Sequence, residues 1–231
     1  MGFPETFPPE AADPQVRDLA GDLMPRLTGP SEIARRLAAL DDAYIRAEYV
    51  PLADAVKGRP ESVEQVCELI ASRRLPQPAY RLDDGTDMVA ADYFALLDAA
   101  GSIDALPAWF QSEYRTAATS LDLPADETDE AAGQIEWGYY LSGGYGVCLK
   151  QVTPLNIARK SAYIHEIEAL LQATAPNDQQ WCESLRQAVD GLHEIERSPR
   201  AVFDPPRWGG PTSEQWYGCY VRAAYPRAFP V

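Results

Sequence analysis

The sequence has few of the residues that usually hold metals or redox centres. Its 231 residues include 2 histidines and 4 cysteines, and the cysteines are Cys67, Cys148, Cys182 and Cys219. No two of them form a C-x-x-C pair, so the sequence contains neither a zinc knuckle nor a dithiol redox pair. We expect reduced, partly buried thiols, and neither a metal nor a cofactor.

Positive charge and long apolar runs are also scarce. The 20 Lys and Arg residues are outnumbered by 35 Asp and Glu, which gives a formal net charge of −15. This excess disfavours polyanionic partners such as nucleic acid or an anionic membrane. No run of roughly 18 apolar residues is present, and residues 1–16 lack the features of a signal peptide. We therefore expect a cytoplasmic protein that binds neither nucleic acid nor membrane.

The rest of the composition is globular, and its periodicity predicts a mainly α-helical fold. Apolar residues recur every three or four positions near 31–44, 104–119, 154–172 and 178–195, which is the spacing of amphipathic helices. We predict a flexible Pro-rich tail (1–29), a winged-helix-like domain preceded by a helix (30–120), an acidic linker (121–133) and a helical domain (134–231). The last of these contains a Gly-rich loop.

Residues 50–95 have the pattern of a winged helix. Two short helices flank a turn at Gly58, and Asp84-Gly85 then provides the turn of a small β-hairpin. This arrangement resembles the DNA-reading module of MerR-type regulators. Its second helix presents Glu61, Glu64, Gln65 and Glu68, where DNA readers usually carry cations and amides. We interpret the unit as a fold used for contact with a protein partner or for enclosing a substrate.

Several stretches of the sequence together resemble domain-of-unknown-function family 6058 (DUF6058). They are Arg73–Tyr80, the string Tyr-Leu-Ser-Gly-Gly-Tyr-Gly-Val-Cys-Leu at 140–149, Thr153–Lys160 and Gly209-Gly210-Pro211. The resemblance covers roughly residues 40–227, and bacterial members of the family are labelled natural-product biosynthesis proteins. It implies a role in bacterial secondary metabolism and brings no catalytic residues with it.

The Gly-rich loop is the first candidate binding site. Gly143, Gly144 and Gly146 allow close approach of a ligand to the backbone, and a helix start at Thr153 adds free N–H groups. Cationic and amide side chains that follow would favour an anion. The predicted substrate-binding residues are Gly143, Gly144, Tyr145, Lys150, Asn156, Arg159 and, from a later Pro/Gly-rich connection, Trp208. The alternative is a glycine-rich turn packed under tyrosines.

Cys148, His165 and Glu136 are the catalytic candidates. Cys148 would be a nucleophile, although a cysteine between Val147 and Leu149 is also typical of a small buried hydrophobe. His165 lies in the first of two His-Glu-Ile-Glu segments, and His193 lies in the second. If the two helices form a hairpin, these imidazoles are staggered by about 7.5 Å, too far apart for one metal ion.

Two functional hypotheses follow. In the first, the protein binds or converts a small anionic or carrier-tethered intermediate of secondary metabolism, at a pocket where Glu136, Tyr145, Cys148 and Lys150 meet. In the second, it is a non-enzymatic regulator or interaction module that uses the winged-helix-like unit. A homodimer is one alternative for its oligomeric state.

The acidic reading helix leads to a first testable prediction. Salt-sensitive binding of duplex DNA needs several cationic contacts to phosphates, and this unit has too few cations to make them. A fluorescence anisotropy titration at physiological salt should show no appreciable binding to duplex DNA. Salt-sensitive binding at submicromolar protein would contradict the interpretation.

Overall fold

The computed structural model describes residues 41–197 and 213–230, which are mainly helical, as predicted, and include a small three-stranded antiparallel sheet in place of a hairpin alone. In chain order the elements are β1 (Val50–Pro51), α1 (Leu52–Ala55), α2 (Val63–Ala71), β2 (Tyr80–Arg81), β3 (Asp87–Val89), α3 (Ala95–Ala100), α4 (Leu106–Ser120), α5 (Ala125–Thr128), α6 (Glu130–Leu141), α7 (Gly144–Cys148), α8 (Pro154–Gln172), α9 (Gln179–Ile195), a π-helix (Glu214–Tyr220) and α10 (Val221–Ala224). Residues 41–48 are also helical. The predicted tail lies outside the described residues.

The sheet joins the strand before α1 to the hairpin after α2. The strand order is β1–β3–β2, and Val50 is opposite Val89 while Tyr80 is opposite Met88. Gly85, with φ of +84°, forms the predicted hairpin turn. Ser62 starts α2 through a capping box with Gln65, which satisfies N–H groups that a helix start otherwise leaves unpaired. The predicted pair of short helices and the hairpin are therefore both present.

The main core is built around α4, which the sequence predicts near 104–119. Leu106, Phe110 and Tyr114 lie on its inner face and are almost fully buried. The ring of Phe110 stacks on that of Tyr140 with centroids 5.3 Å apart. The same hydrophobic cluster extends from Leu52 to Ala158 and includes buried residues within 121–133, the segment predicted as a linker. That segment contains α5 and the start of α6, and the predicted domain division remains a prediction.

The predicted pair of helices after the Gly-rich stretch is α8 and α9. Thr153 caps α8 by accepting the Asn156 N–H at 3.0 Å, and Pro154 occupies the first helical position. Asp178 caps α9 in the same way. Apolar side chains of α9 form a second core with the π-helix and α10. The Pro/Gly-rich connection that contains Trp208 lies outside the described residues.

The Gly-rich stretch, for which the sequence leaves open a ligand-binding loop or a packed turn, is a tight turn followed by a short helix. Gly143 has φ of +81° and precedes α7. A Cβ atom at Gly143 would stand 2.5 Å from the carbonyl oxygen of Gln77. The Gln77 N–H in turn donates to the Leu141 carbonyl at 3.0 Å. Gly143 is therefore required where the chain after α6 packs against the chain before β2.

This close packing predicts the effect of a single methyl group. Gly143→Ala must adopt a positive φ and also displace the Gln77 carbonyl, so we expect it to lower the free energy of unfolding by about 2–5 kcal/mol. Gly58 is the matched control because it has φ of +80° and open space around its Cα. Gly58→Ala should lower the free energy of unfolding only by the cost of a positive φ at alanine, about 1–2 kcal/mol. Urea denaturation measures both, and equal losses would refute the packing role of Gly143.

Candidate functional site

Helix α8 carries a row of polar side chains that meet partners from other elements. Ser161, His165 and Glu168 are four and three residues apart, which places them along one side of the helix, and Lys160 lies next to Ser161. Their partners are Glu196 for Lys160, Tyr114 for Ser161, Glu127 for His165 and Tyr217 for Glu168. We use "buried polar cluster" for Glu127, Glu136, Tyr145, Cys148, Lys160, His165 and Glu196.

A buried ion pair lies at one end of this cluster. The Lys160 Nζ is 2.7 Å from Oε1 of Glu196, whose side chain is only 1% exposed. The Ser213 hydroxyl also donates to Oε1, whereas Oε2 has no hydrogen-bond partner among the described residues. Burial alone would lower the pKa of Lys160, but Cys148 and Glu196 reverse this and raise it above its usual range. Lys160 is therefore a stable ammonium group in the interior.

Cys148 is located beside this ammonium. Burial raises the pKa of the Cys148 thiol, and the neighbouring Lys160 opposes that shift without cancelling it. Its Sγ is also 3.9 Å from the Tyr145 carbonyl oxygen, within reach of a weak hydrogen bond. Nucleophilic catalysis requires the thiolate, which this environment disfavours. A nucleophilic role for Cys148 remains a prediction, while its place in the buried polar cluster is clear.

Glu136 and Tyr145 form the second pair in the cluster. The Tyr145 hydroxyl donates a hydrogen bond to Oε2 of Glu136. Burial raises the pKa of Glu136, the bond from Tyr145 opposes this, and the charge of Glu127 raises the pKa further. Burial likewise holds the pKa of Tyr145 well above its usual value, so the phenol remains a neutral donor. This environment favours the protonated form of Glu136, as a general acid requires.

Glu127 and His165 form the third pair. His165 Nε2 and Glu127 Oε1 are 2.5 Å apart. The imidazole is 38% exposed, whereas the Glu127 side chain is 14% exposed and its Oε2 has no hydrogen-bond partner in the described part of the chain. The pair thus connects the solvent to a carboxylate in the interior. Such a connection is suited to moving protons.

Two of the three polar residues that suggested an anion site, Lys150 and Asn156, bond to backbone carbonyl groups. Lys150 Nζ donates to the carbonyl oxygens of His193 and Glu194 at 2.9 and 3.0 Å, which caps the C-terminal end of α9. The Asn156 side chain donates to the Gln151 carbonyl, and Arg159 is exposed. The structure therefore brings Glu136, Tyr145 and Cys148 together. It does not place Lys150, Asn156 or Arg159 with them. Trp208 lies outside the described residues.

The two His-Glu-Ile-Glu segments do not present matching ligand pairs. Glu196 is the C-cap of α9 and is fully buried, whereas His193, one turn earlier, is exposed. The Glu196 side chain turns inward to Lys160. Within residues 41–197 and 213–230, no group of three or more His, Cys, Asp or Glu side chains is placed to hold a metal ion. That the protein needs no metal remains a prediction.

Three members of the cluster were missed by sequence reasoning. Glu127 falls in the predicted linker, Glu196 belongs to the second His-Glu-Ile-Glu segment, and Lys160 is one of the cations that follow the Gly-rich loop, and none of these patterns predicts the contacts of these residues in the interior. A usable signal existed for Lys160, because it lies three residues after Ile157 and seven before Ile167, both of which are buried. The other two depend on contacts distant in sequence.

Two cavities lie outside the buried polar cluster. A surface depression of about 310 Å³ lies at the turn between α8 and α9, where Arg186 and Arg227 already bond to neighbouring groups. A small cavity of about 30 Å³ lies between the Gly-rich stretch and the end of β3, and it is lined in part by Gly143, Gly146 and Val152. The second is near the predicted pocket but is too small for an organic intermediate.

The raised pKa of Glu136 predicts a dependence of stability on pH. Because the folded state favours the protonated carboxyl, the stabilising contribution of Glu136 is present at low pH and is lost as the pH rises through its folded pKa. Glu136→Gln is always uncharged. The free energy of unfolding of Glu136→Gln should therefore rise relative to that of the wild type as the pH increases above 4.5, which is the ordinary pKa of a Glu side chain.

Urea denaturation from pH 4 to pH 8 tests this expectation. Glu166→Gln provides the matched control, since Glu166 is exposed on α8 and its removal changes the net charge equally. The difference between Glu166→Gln and the wild type should vary little over this range. If the two variants show the same pH dependence, the interior environment assigned to Glu136 is wrong.

The comparison with protein families concerns the part of the chain that holds these residues. No curated protein and no solved structure gives a significant match to this chain. The model of DUF6058, a family of unknown function, matches residues 106–209. This segment begins with α4 and contains every residue of the buried polar cluster. The match supports the resemblance to DUF6058 for the part of the chain in which the candidate site lies.

Proposed function

We propose that this protein is an enzyme that binds a small molecule at the buried polar cluster and transfers a proton to or from it. The observation that carries the proposal is a pair of interior carboxyl groups, Glu136 and Glu127, in different environments. Two carboxyl groups kept in unlike surroundings are typical of an acid and a base that act on one substrate. Glu136 is the acid, and Glu127 is the base.

The neighbouring residues complete this assignment. Tyr145 orients the Glu136 carboxyl through its hydrogen bond, and His165 carries protons between Glu127 and the solvent. The Lys160 ammonium, held by Glu196, stabilises negative charge that develops on the substrate. Burying these charges costs stability, because apolar residues of the same volume would often stabilise the fold as well or better. A catalytic role explains why the cluster is charged.

The free acceptors of the cluster indicate the kind of substrate. Glu127 Oε2 and Glu196 Oε2 are both buried and without partners among the described residues. A ligand with hydroxyl or amine donors would satisfy them. This differs from the anionic ligand expected from the sequence, because Lys150 and Asn156 are engaged in capping the backbone. A setting in cytoplasmic secondary metabolism, with a free or carrier-tethered intermediate, rests on the resemblance to DUF6058.

A second candidate function concerns residues 41–100, for which we propose a winged-helix-like interaction module. Three of its arginines are paired within the protein: Arg59 with Asp98 and Glu61, Arg74 with Asp104, and Arg81 with Asp87. Glu64, Gln65 and Glu68 are exposed on α2. An acidic helix with neutralised cations around it favours contact with a protein over contact with DNA phosphates.

Solvent deuterium exchange provides the test of the enzymatic proposal. The purified chain is incubated in D₂O with a small-molecule extract of its native host, and mass spectrometry detects metabolites that gain deuterium or change mass. We expect the wild type to convert at least one metabolite. Glu136→Gln and Glu127→Gln should reduce this conversion at least about 100-fold, as loss of general acid–base catalysis does.

Glu166→Gln is again the control, because it removes an exposed carboxylate from α8 and should keep full activity. Absence of any conversion by the wild type would overturn the proposal. Equal conversion by wild type and Glu136→Gln would show that another part of the chain performs the chemistry.

A further inference from the structure

One side of α6 faces the solvent and carries no charge. The other side of this helix packs against α4, where Tyr140 stacks on Phe110. Ile135 and Tyr139, one turn apart on the solvent side, are large apolar residues that are 57% and 52% exposed. We use "uncharged face" for the six residues on this side, which are Ala131, Gln134, Ile135, Gly138, Tyr139 and Ser142.

This face contrasts with the charge of the chain as a whole. Charged residues make up 24% of the sequence, and the formal net charge is −15. A helix that has apolar residues on both sides is typical of a position that is covered on both sides. Exposed apolar side chains that lie next to each other mark interaction surfaces, whereas single ones are common on any protein. The uncharged face is therefore suited to contact with a protein surface.

The distribution of acids around α6 favours an antiparallel contact with a second copy of the chain. Asp126, Glu127, Asp129 and Glu130 surround the start of the helix, whereas residues 138–144 contain no acid. Two parallel copies would bring their acidic starts together. In an antiparallel pair, each acidic start lies beside the uncharged end of the other helix. Repulsion between two chains of the same net charge is also smallest where the contact itself is uncharged.

The sizes of the residues on the uncharged face also fit such a pair. A Cβ atom at Gly138 would have no described neighbour within 4 Å, so this glycine leaves a notch in the surface. Ile135 projects from the same face one turn earlier. Packed helices insert side chains of one into the spaces between side chains of the other. A two-fold axis repeats every contact, so each copy supplies one isoleucine and one notch.

We propose that the uncharged face of α6 is the contact surface of a homodimer, in which Ile135 of each copy packs at Gly138 of the other. Helix α6 has 12 residues and is about 18 Å long. A contact of this length buries less than the roughly 800 Å² per partner of a standard stable interface, so the dimer dissociates in the micromolar range. This inference does not depend on the proposed enzymatic function, and either can fail without the other.

Sedimentation equilibrium of the full chain tests the proposal. Between about 1 and about 200 µM, the average mass of the wild type should rise from that of the chain, 25.5 kDa, toward twice this value. Ile135→Glu and Tyr139→Glu should keep the monomer mass at every concentration, because a dimer would bury an unpaired carboxylate in the contact. Leu155→Glu is the matched control, since Leu155 is 40% exposed on α8 and the change in charge is the same. It should dimerise as the wild type does.

Gly138→Leu separates specific packing from general adhesion of an apolar surface. Leucine fills the notch, so the dimer should dissociate at a concentration at least about 10-fold higher than that of the wild type. The Tm of the monomer should not fall, because leucine is more favourable than glycine inside a helix. A surface that merely adheres through apolar area would instead associate more strongly in this variant.

Three results would overturn the homodimer. They are a wild type that stays monomeric over the whole range, an equal loss of dimer in Leu155→Glu, and stronger association of Gly138→Leu. A monomeric wild type would leave this face to a different protein. Circular dichroism checks the folding of each variant, and if Tyr139→Glu does not fold, Ile135→Glu and Gly138→Leu still decide the question.

Discussion

The ion pair between Lys160 and Glu196 fixes the point at which α7, α8 and α9 meet. Glu196 follows α9, so the pair connects the end of that helix to the second turn of α8. Around it, the Lys150 N–H donates to the Ile195 carbonyl and the Arg197 N–H donates to the Cys148 carbonyl. These backbone bonds hold the end of α7 against the end of α9. The positions of Tyr145 and Cys148, and through Tyr145 that of Glu136, depend on this arrangement.

A second constraint joins the two parts of the chain. Gly143 leaves room for the Gln77 carbonyl, and Asp92 accepts the Val152 N–H across the same junction. Both contacts connect residues near the β-hairpin to residues that flank α7. The orientation of α7 is thus determined from two sides, by α9 and by the segments around the hairpin. Because the two segments pack closely here, Gly143 in the Gly-rich stretch has a structural role.

Local signals in the sequence were sufficient for most of the fold. Capping residues such as Thr153 and Asp178, the turn glycine at position 85 and the apolar spacing along α4 each act within a few residues. The candidate site could be predicted only in part. Tyr145 and Cys148 lie within one motif at 140–149, and Glu136 lies four residues before it. Glu127 and Glu196 enter the site through partners 38 and 36 positions away, respectively, and no local pattern records such contacts.

Proximity in sequence does not determine which acceptor a polar side chain meets. Lys150, Asn156 and Arg159 are close in sequence to the Gly-rich stretch, and proximity alone suggested a shared ligand. A helix end, however, leaves carbonyl oxygens that need donors, and Lys150 satisfies two of these at the end of α9. The cation that does enter the interior is Lys160, which has a buried carboxylate to meet it. Of the three basic residues Lys150, Arg159 and Lys160, Lys160 is the one that pairs with a buried carboxylate among the described residues.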